Sequence, residues 1–247
     1  MRIVIVGIIA LTLLGPIVSS RPASAQSKDD AAAGKHDSAK PEDFKPEQQA
    51  SKGSVTISGK AIPYDAFAGT MVVHPKGWDD VPQNQDKDDK SLPAEASMFY
   101  VAYFKSGEQG AGRPVTFFFN GGPGSSTIWL HMGAFGPKRV ITSDDSHTSA
   151  APYPVVNNDF SLLDVSDLVF VDAPGTGFSR IAGKDREKAF YSVDGDADAF
   201  ADFISQFLAK YSRWNSPKYL FGESYGTTRS AALINLLETV RFIDLMA

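Results

Sequence analysis

Lys218-Tyr219-Leu220-Phe221-Gly222-Glu223-Ser224-Tyr225-Gly226 is the stretch on which the fold turns. Its first four residues read as a short strand. Gly222 to Gly226 fits G-x-S-x-G, and beyond it Leu233, Ile234, Leu236, Leu237 and Val240 mark an amphipathic helix. The pattern alone is weak, but a strand before it and a helix after it are the context in which it carries chemistry. A tight strand-to-helix turn lifts the serine Oγ clear of the sheet. Small flanking residues let the two backbone arms approach, and the Tyr225 N–H falls at the helix start, aimed at a developing oxyanion.

Working outward, Val115-Thr116-Phe117-Phe118-Phe119 reads as a buried strand running into Asn120-Gly121-Gly122-Pro123-Gly124-Ser125-Ser126. A glycine-rich turn there could cradle phosphate, but it lacks the G-K-[ST] ending of a nucleotide loop. In a hydrolase the same turn supplies a second oxyanion N–H, and Gly122 is the candidate donor. Phe99 to Phe104 and Leu168 to Val171 are further strands, the latter ending at Asp172-Ala173-Pro174-Gly175. Phe200, Phe203, Ile204, Phe207, Leu208 and Tyr211 lie on one face of a helix. Asp194, Asp196 and Asp198 sit at its start, where carboxylates favour the positive helix end. They lack the glycine and distal Glu of a calcium loop, so no metal is expected. Short apolar strands alternating with helices imply an α/β fold, with a mostly parallel sheet covered by helices on both faces.

Composition is globular: 43% hydrophobic and 21% charged residues, with 24 Lys+Arg against 29 Asp+Glu. The formal charge of −5 argues against nucleic acid as a partner. The absence of cysteine excludes a disulfide scaffold and a thiol nucleophile. Arg2, the apolar run Ile3 to Val18 and Ala23-Ser24-Ala25 form an export signal with its cleavage site. The run is shorter than the ~20 residues of a spanning helix, so no membrane association is expected after cleavage. Gln26 to Gly53 is polar and Pro-containing and reads as a flexible leader. Val55 and Ile57, then Gly69 to Val73, read as two strands, and the charged run Asp86 to Lys90 as a solvated loop.

Phe118 to Ser126, Asp172-Ala173-Pro174-Gly175-Thr176-Gly177-Phe178-Ser179 and Gly222 to Gly226, in this order, resemble the serine carboxypeptidase family of the α/β-hydrolase fold. Trp129 to Pro137 is similar to its bacterial branch. Phe118 and Ser125 stand where the family often has Trp and Cys. The resemblance implies Ser224 as nucleophile, Gly122 and Tyr225 as oxyanion donors, and Asn120 and Glu223 as ligands of a peptide's C-terminal carboxylate, with Gly121 shaping that subsite. It implies no cofactor. The partner it implies is a peptide with a free C-terminus; the export signal and the absence of cysteine fit the periplasm or the medium as the location. Glu223 can hold a carboxylate only if a proton is shared between them, so acid is the expected working range.

In this fold the triad acid and His follow the serine. All four histidines, His36, His74, His131 and His147, precede Ser224, and only Glu238 and Asp244 are acids after it. The expectation is therefore a signal peptide over 1–25, a leader over 26–53, and over 54–247 the N-terminal part of a hydrolase domain. It would be truncated after the nucleophile helix, lack the triad Asp and His, and be nearly inactive alone. Two alternatives stand beside this: an esterase or acyltransferase of the same fold, and a non-catalytic peptide-binding or decayed fragment.

Overall fold

The computed structural model describes residues 44–78, 93–108, 112–142, 147 and 150–246. The proposed signal peptide, most of the leader and the Asp86–Lys90 run lie outside them. In chain order the elements are β1 (Gln48–Ile57), β2 (Lys60–Val73), β3 (Glu95–Lys105), β4 (Val115–Phe119) and α1 (Ile128–Leu130), which continues into a π-helical turn at His131–Phe135. Then follow β5 (Lys138–Val140), β6 (Val155–Asn157), β7 (Asp167–Val171), β8 (Arg180–Ala182), α2 (Arg186–Phe190), α3 (Val193–Lys210), β9 (Lys218–Gly222) and α4 (Tyr225–Thr239).

Among the described residues the main sheet has seven strands in the order β1-β2-β3-β7-β4-β9, with β8 also paired to β3. The sheet is mixed. β7, β4 and β9 are parallel, with Phe117 opposite both Val169 and Leu220. β1, β2, β3 and β8 pair antiparallel, and β3 meets β7 antiparallel. The parallel part is the part joined by helices, which long crossovers require; β1 and β2 need only the two-residue turn Ser58-Gly59, both at positive φ. β1 begins at Gln48, inside the stretch read as leader. Gln48 to Ser54 carry no apolar payload beyond Ala50. Their order comes from backbone pairing along β2, a stabilisation that hydropathy does not register.

β4 and β7 are buried at all five positions, as expected where both faces are covered. On one face Phe117, Phe119, Val169 and Val171 pack under α3 and α4 through Phe200, Phe203, Phe207, Leu233 and Leu237. Each of the three α3 phenylalanines is fully buried, a burial that contributes about 1.5–3 kcal/mol per side chain. On the other face Phe118, Leu168 and Phe170 pack with Leu130, Leu163 and the β1–β2 hairpin residues Val55, Ile62 and Tyr64. There the cover is α1, the π turn and the hairpin rather than a long helix.

The two ends of β4, β7 and β9 differ in chemistry. At their N-terminal ends Arg113, Asp167, Arg213, Ser216 and Lys218 are all buried. At their C-terminal ends the chain makes the turns Asn120–Gly124, Asp172–Ser179 and Glu223–Gly226, where open α/β sheets place their ligand sites.

Candidate active site

Ser224 is the N-cap of α4 and stands at φ 57°, ψ −122°. For a non-glycine residue this is a strained backbone, of the kind that persists only where its surroundings over-determine it. Three close approaches do so. A Cβ on Gly222 would strike the Gly226 carbonyl. One on Gly226 would lie 3.0 Å from the Phe119 carbonyl oxygen, and one on Gly121 would strike the Tyr225 N–H and come within 2.6 Å of the Glu223 carbonyl oxygen. The elbow and the Asn120 turn are therefore packed backbone to backbone. The Glu223 N–H donates to the Phe119 carbonyl at 3.2 Å, continuing the β4–β9 ladder into the site.

Asn120 is 4% exposed and all four of its polar atoms are engaged. Its N–H donates to Thr127 Oγ1 (3.3 Å), its Oδ1 accepts from the Leu130 N–H (3.2 Å), and its carbonyl accepts from Arg229 Nη1 (2.8 Å). Its Nδ2 donates to Glu223 Oε2 at 3.0 Å. The amide and the carboxylate expected to act together are in contact, with Glu223 and Ser224 both exposed. Gly122 follows at φ 105°, a value that favours glycine, and the turn closes with the Ser125 N–H on the Gly121 carbonyl at 3.1 Å.

The Asp172–Ser179 turn is built on the Asp172 carboxylate, which accepts from the N–H groups of Thr127 (2.8 Å) and Phe178 (3.1 Å). Burial raises the Asp172 pKa and these two hydrogen bonds oppose the rise. Gly177, at φ 51°, has no room for a Cβ against that carboxylate. A cleft of about 380 Å³ is lined by Gly124, Gly175, Tyr191, Asp196, Tyr225 and Arg229, with Tyr225 its link to the elbow.

Ser224 Oγ has no hydrogen bond to another side chain among the described residues. His131 Nε2 is bonded to the Tyr103 hydroxyl at 2.8 Å, and its ring stacks on Phe170; burial lowers its pKa to about 4. His74 stacks on Trp78 with ring centroids 4.2 Å apart, and His147 is exposed. The described residues contain no group of three or more metal-ligating side chains.

Asp196 and Arg229 were not legible as site residues. Asp196 reads as a helix-start acid, but it forms a bidentate pair with Arg229, Nε to Oδ2 at 2.7 Å and Nη2 to Oδ1 at 3.2 Å. The available signal was the position of Arg229 on the stripe Gly226, Arg229, Leu233 and Leu237, the buried face of α4.

A sequence model described as serine carboxypeptidase matches residues 89–237. The chain belongs to the serine carboxypeptidase family. Its fold is accordingly the α/β-hydrolase fold. Among curated proteins it is 32% identical to a carboxypeptidase Y homolog of Arthroderma benhamiae, over 55% of this chain and 25% of that one. It is 26% identical to serine carboxypeptidase-like 33 of Arabidopsis thaliana, over 57% and 28%. It is 31% identical to the pheromone-processing carboxypeptidase KEX1 of Yarrowia lipolytica, over 54% and 20%. The matched region thus spans about a quarter of the length of these serine carboxypeptidases. Among solved structures it is similar to the peroxisomal alpha-beta-hydrolase Lpx1 of Saccharomyces cerevisiae, with TM-score 0.37 and 13% identity over 79% of this chain and 42% of that one.

Proposed function

We propose that the protein is a serine-type carboxypeptidase that releases C-terminal residues from peptides through an acyl-enzyme on Ser224. The observation that carries this reading is the 3.0 Å contact between Asn120 Nδ2 and Glu223 Oε2, next to a serine held at φ 57°. An esterase needs the serine, but it has no use for an amide and a carboxylate poised together beside it. In the proposed reaction the peptide's terminal carboxylate accepts from the second N–H of Asn120 Nδ2 and shares a proton with Glu223. Ser224 Oγ then attacks the scissile carbonyl, and the Gly122 and Tyr225 N–H groups receive the negative charge on its oxygen. The amine leaves with a proton, and water resolves the ester.

The attack needs a base, and Ser224 Oγ meets no histidine among the described residues. Chain order in this fold places the base and its orienting acid after the serine; we therefore take both to be absent from these 247 residues, and expect them alone to be nearly inactive. The oxyanion donors on their own sustain only weak residual catalysis. Export, with cleavage after Ala25, completes the reading. Among the described residues no helix is long and apolar enough to cross a membrane.

The test, run on the protein purified from its native source, is labelling of Ser224 by a fluorophosphonate, together with hydrolysis of a peptide as its free acid and as its C-terminal amide; these 247 residues alone are expected to label and turn over only weakly. Labelling with a strong preference for the free acid, steepening toward acid pH, is the expected result. Equal turnover of acid and amide places the protein with the esterases, and a pH-independent rate removes Glu223 from carboxylate recognition. Peptide binding without labelling leaves a binding protein.

A further inference from the structure

Arg229, 2% exposed, is among the largest fully buried side chains of the described residues. Its guanidinium is ringed by Phe200, Tyr225 and Phe119, with centroids 4.6, 5.3 and 5.4 Å away. A buried cation must be paired, and Asp196 supplies the charge through two hydrogen bonds. Charge pairing leaves the third link unexplained: Nη1 donates to the Asn120 carbonyl at 2.8 Å. That bond joins α4, the first turn of α3 and the turn after β4 through one planar group.

The position of the third link matters. The Asn120 carbonyl belongs to the peptide group that carries the Gly121 N–H, and a peptide group is planar. Fixing the direction of that carbonyl fixes the plane from which the chain enters Gly121 and Gly122. The same peptide is where Gly121 meets the Tyr225 N–H with no space for a Cβ. We infer that Arg229 is a positioning residue that sets the Gly122 turn against the elbow, so that the two oxyanion N–H groups share one aim. Catalysis through Gly122 and Tyr225 rests on the function proposed above; the positioning of the turn does not. Asp196 orients the guanidinium and thereby acts one step further out. Lysine cannot reproduce this arrangement, since a single ammonium lacks the fork that spans Asp196 and the Asn120 carbonyl together.

The experiment compares the full wild-type chain with Arg229→Lys, Arg229→Met and Asp196→Asn by amide hydrogen exchange and by the rate of fluorophosphonate labelling. The Ser125 and Glu223 amides, both bonded within the turn and elbow, are expected to exchange at least ~10-fold faster in Arg229→Lys, while the β7 amides hold. Loss of one oxyanion donor costs about 10²–10³ in rate, so a misaimed donor is expected to slow labelling at least ~10-fold in the same variant. A role limited to neutralising Asp196 predicts that Arg229→Lys matches wild type in both readouts, and that result overturns the inference even where Arg229→Met fails to fold. A wild-type chain whose weak labelling falls below detection, as the missing base allows, leaves the decision to turn and elbow exchange in Arg229→Lys, which settles the role of Arg229 without the Ser224 chemistry.

Discussion

The two ends of β4, β7 and β9 use the same residue types to opposite effect. At the N-terminal ends charge is buried and spoken for. Asp167 accepts from Arg113 Nε at 2.7 Å and from the Lys105 N–H at 3.0 Å. Arg213 Nη1 lies 2.7 Å from its other oxygen as an ion contact without hydrogen-bond alignment. Arg213 also donates to the Arg113 carbonyl (2.9 Å) and to Ser216 Oγ (2.8 Å). At the C-terminal ends Glu223 and Ser224 are left to solvent, and the turns are held by close backbone approaches at Gly121, Gly222 and Gly226, with the buried Asp172 and the Asp196–Arg229 pair behind them. A buried charge network fixes the starts of these strands. Close backbone packing dominates at the turns, where Glu223 and Ser224 stay exposed.

The sharpest way to break this contrast is at Asp167. Asp167→Asn leaves two buried arginines short of their counter-charge, and losing one partner of a buried ion network costs about 3–5 kcal/mol. Urea unfolding should show that loss, while the Ser125 and Glu223 amides keep their native-state exchange rates under conditions where the variant is folded. If those amides loosen along with the strands, the two ends are one cooperative unit and the division does not hold.

Next in size is the pH response of His131, which sits just past the Asn120 turn. Its folded pKa is about 4 against an ordinary 6.5. Between these values the unfolded chain binds the proton and the folded chain does not, so stability falls as pH drops from 6.5 to 4. The full difference amounts to about 3 kcal/mol. Asp172, raised by burial, acts in the opposite sense, gaining its proton more readily in the folded chain. A His131→Gln variant isolates the histidine. Its unfolding free energy should decline less than that of wild type across this window, and parallel curves would show that His131 is solvated in the folded protein.

How much of this could be read beforehand follows from where the signal lies. β4, β7, α3 and the elbow declare themselves through apolar runs and period, because burial on both faces demands it. The Asn120, Asp172 and Ser224 turns declare themselves through glycine and proline, because their backbones exclude other residues. β1 before Ser54, the long first part of β2 and β8 are held by strand pairing with alternating or exposed side chains, and composition does not register it. Arg113, Asp167, Arg213, Asp196 and Arg229 look like solvated charges in one dimension. Their burial depends on partners far away in sequence, such as Arg229 on Asp196 and on the Asn120 carbonyl.

Gly121→Ala tests the packed backbone directly. A methyl there meets the Tyr225 N–H, the Glu223 carbonyl and, at 2.8 Å, the Gly226 N–H, none of which belongs to a flexible side chain. Overpacking of this kind costs about 1–3 kcal/mol. The expected result is a modest stability loss with a disproportionate effect on the site, seen as lost binding of free-acid peptides. A variant that binds them as wild type does would mean that the turn is softer than its contacts imply.

The smallest effect is the most pointed. Ser224 holds φ 57°, ψ −122°, a strain worth about 1–3 kcal/mol for a residue with a Cβ. Glycine bears it more easily but brings a larger entropy loss on folding, about 0.5–1 kcal/mol. Ser224→Gly should therefore leave the protein slightly more stable than wild type, by about 1 kcal/mol, while Ser224→Ala, which keeps the Cβ, should gain little. Both should abolish labelling. No such gain is expected from glycine at Asp167 or Arg213, which lie outside the left-handed region. Thermal unfolding of the two Ser224 variants decides the matter. A glycine variant no more stable than the alanine one would mean that the elbow is relaxed, and that the serine is raised by the glycine contacts around it without stored strain.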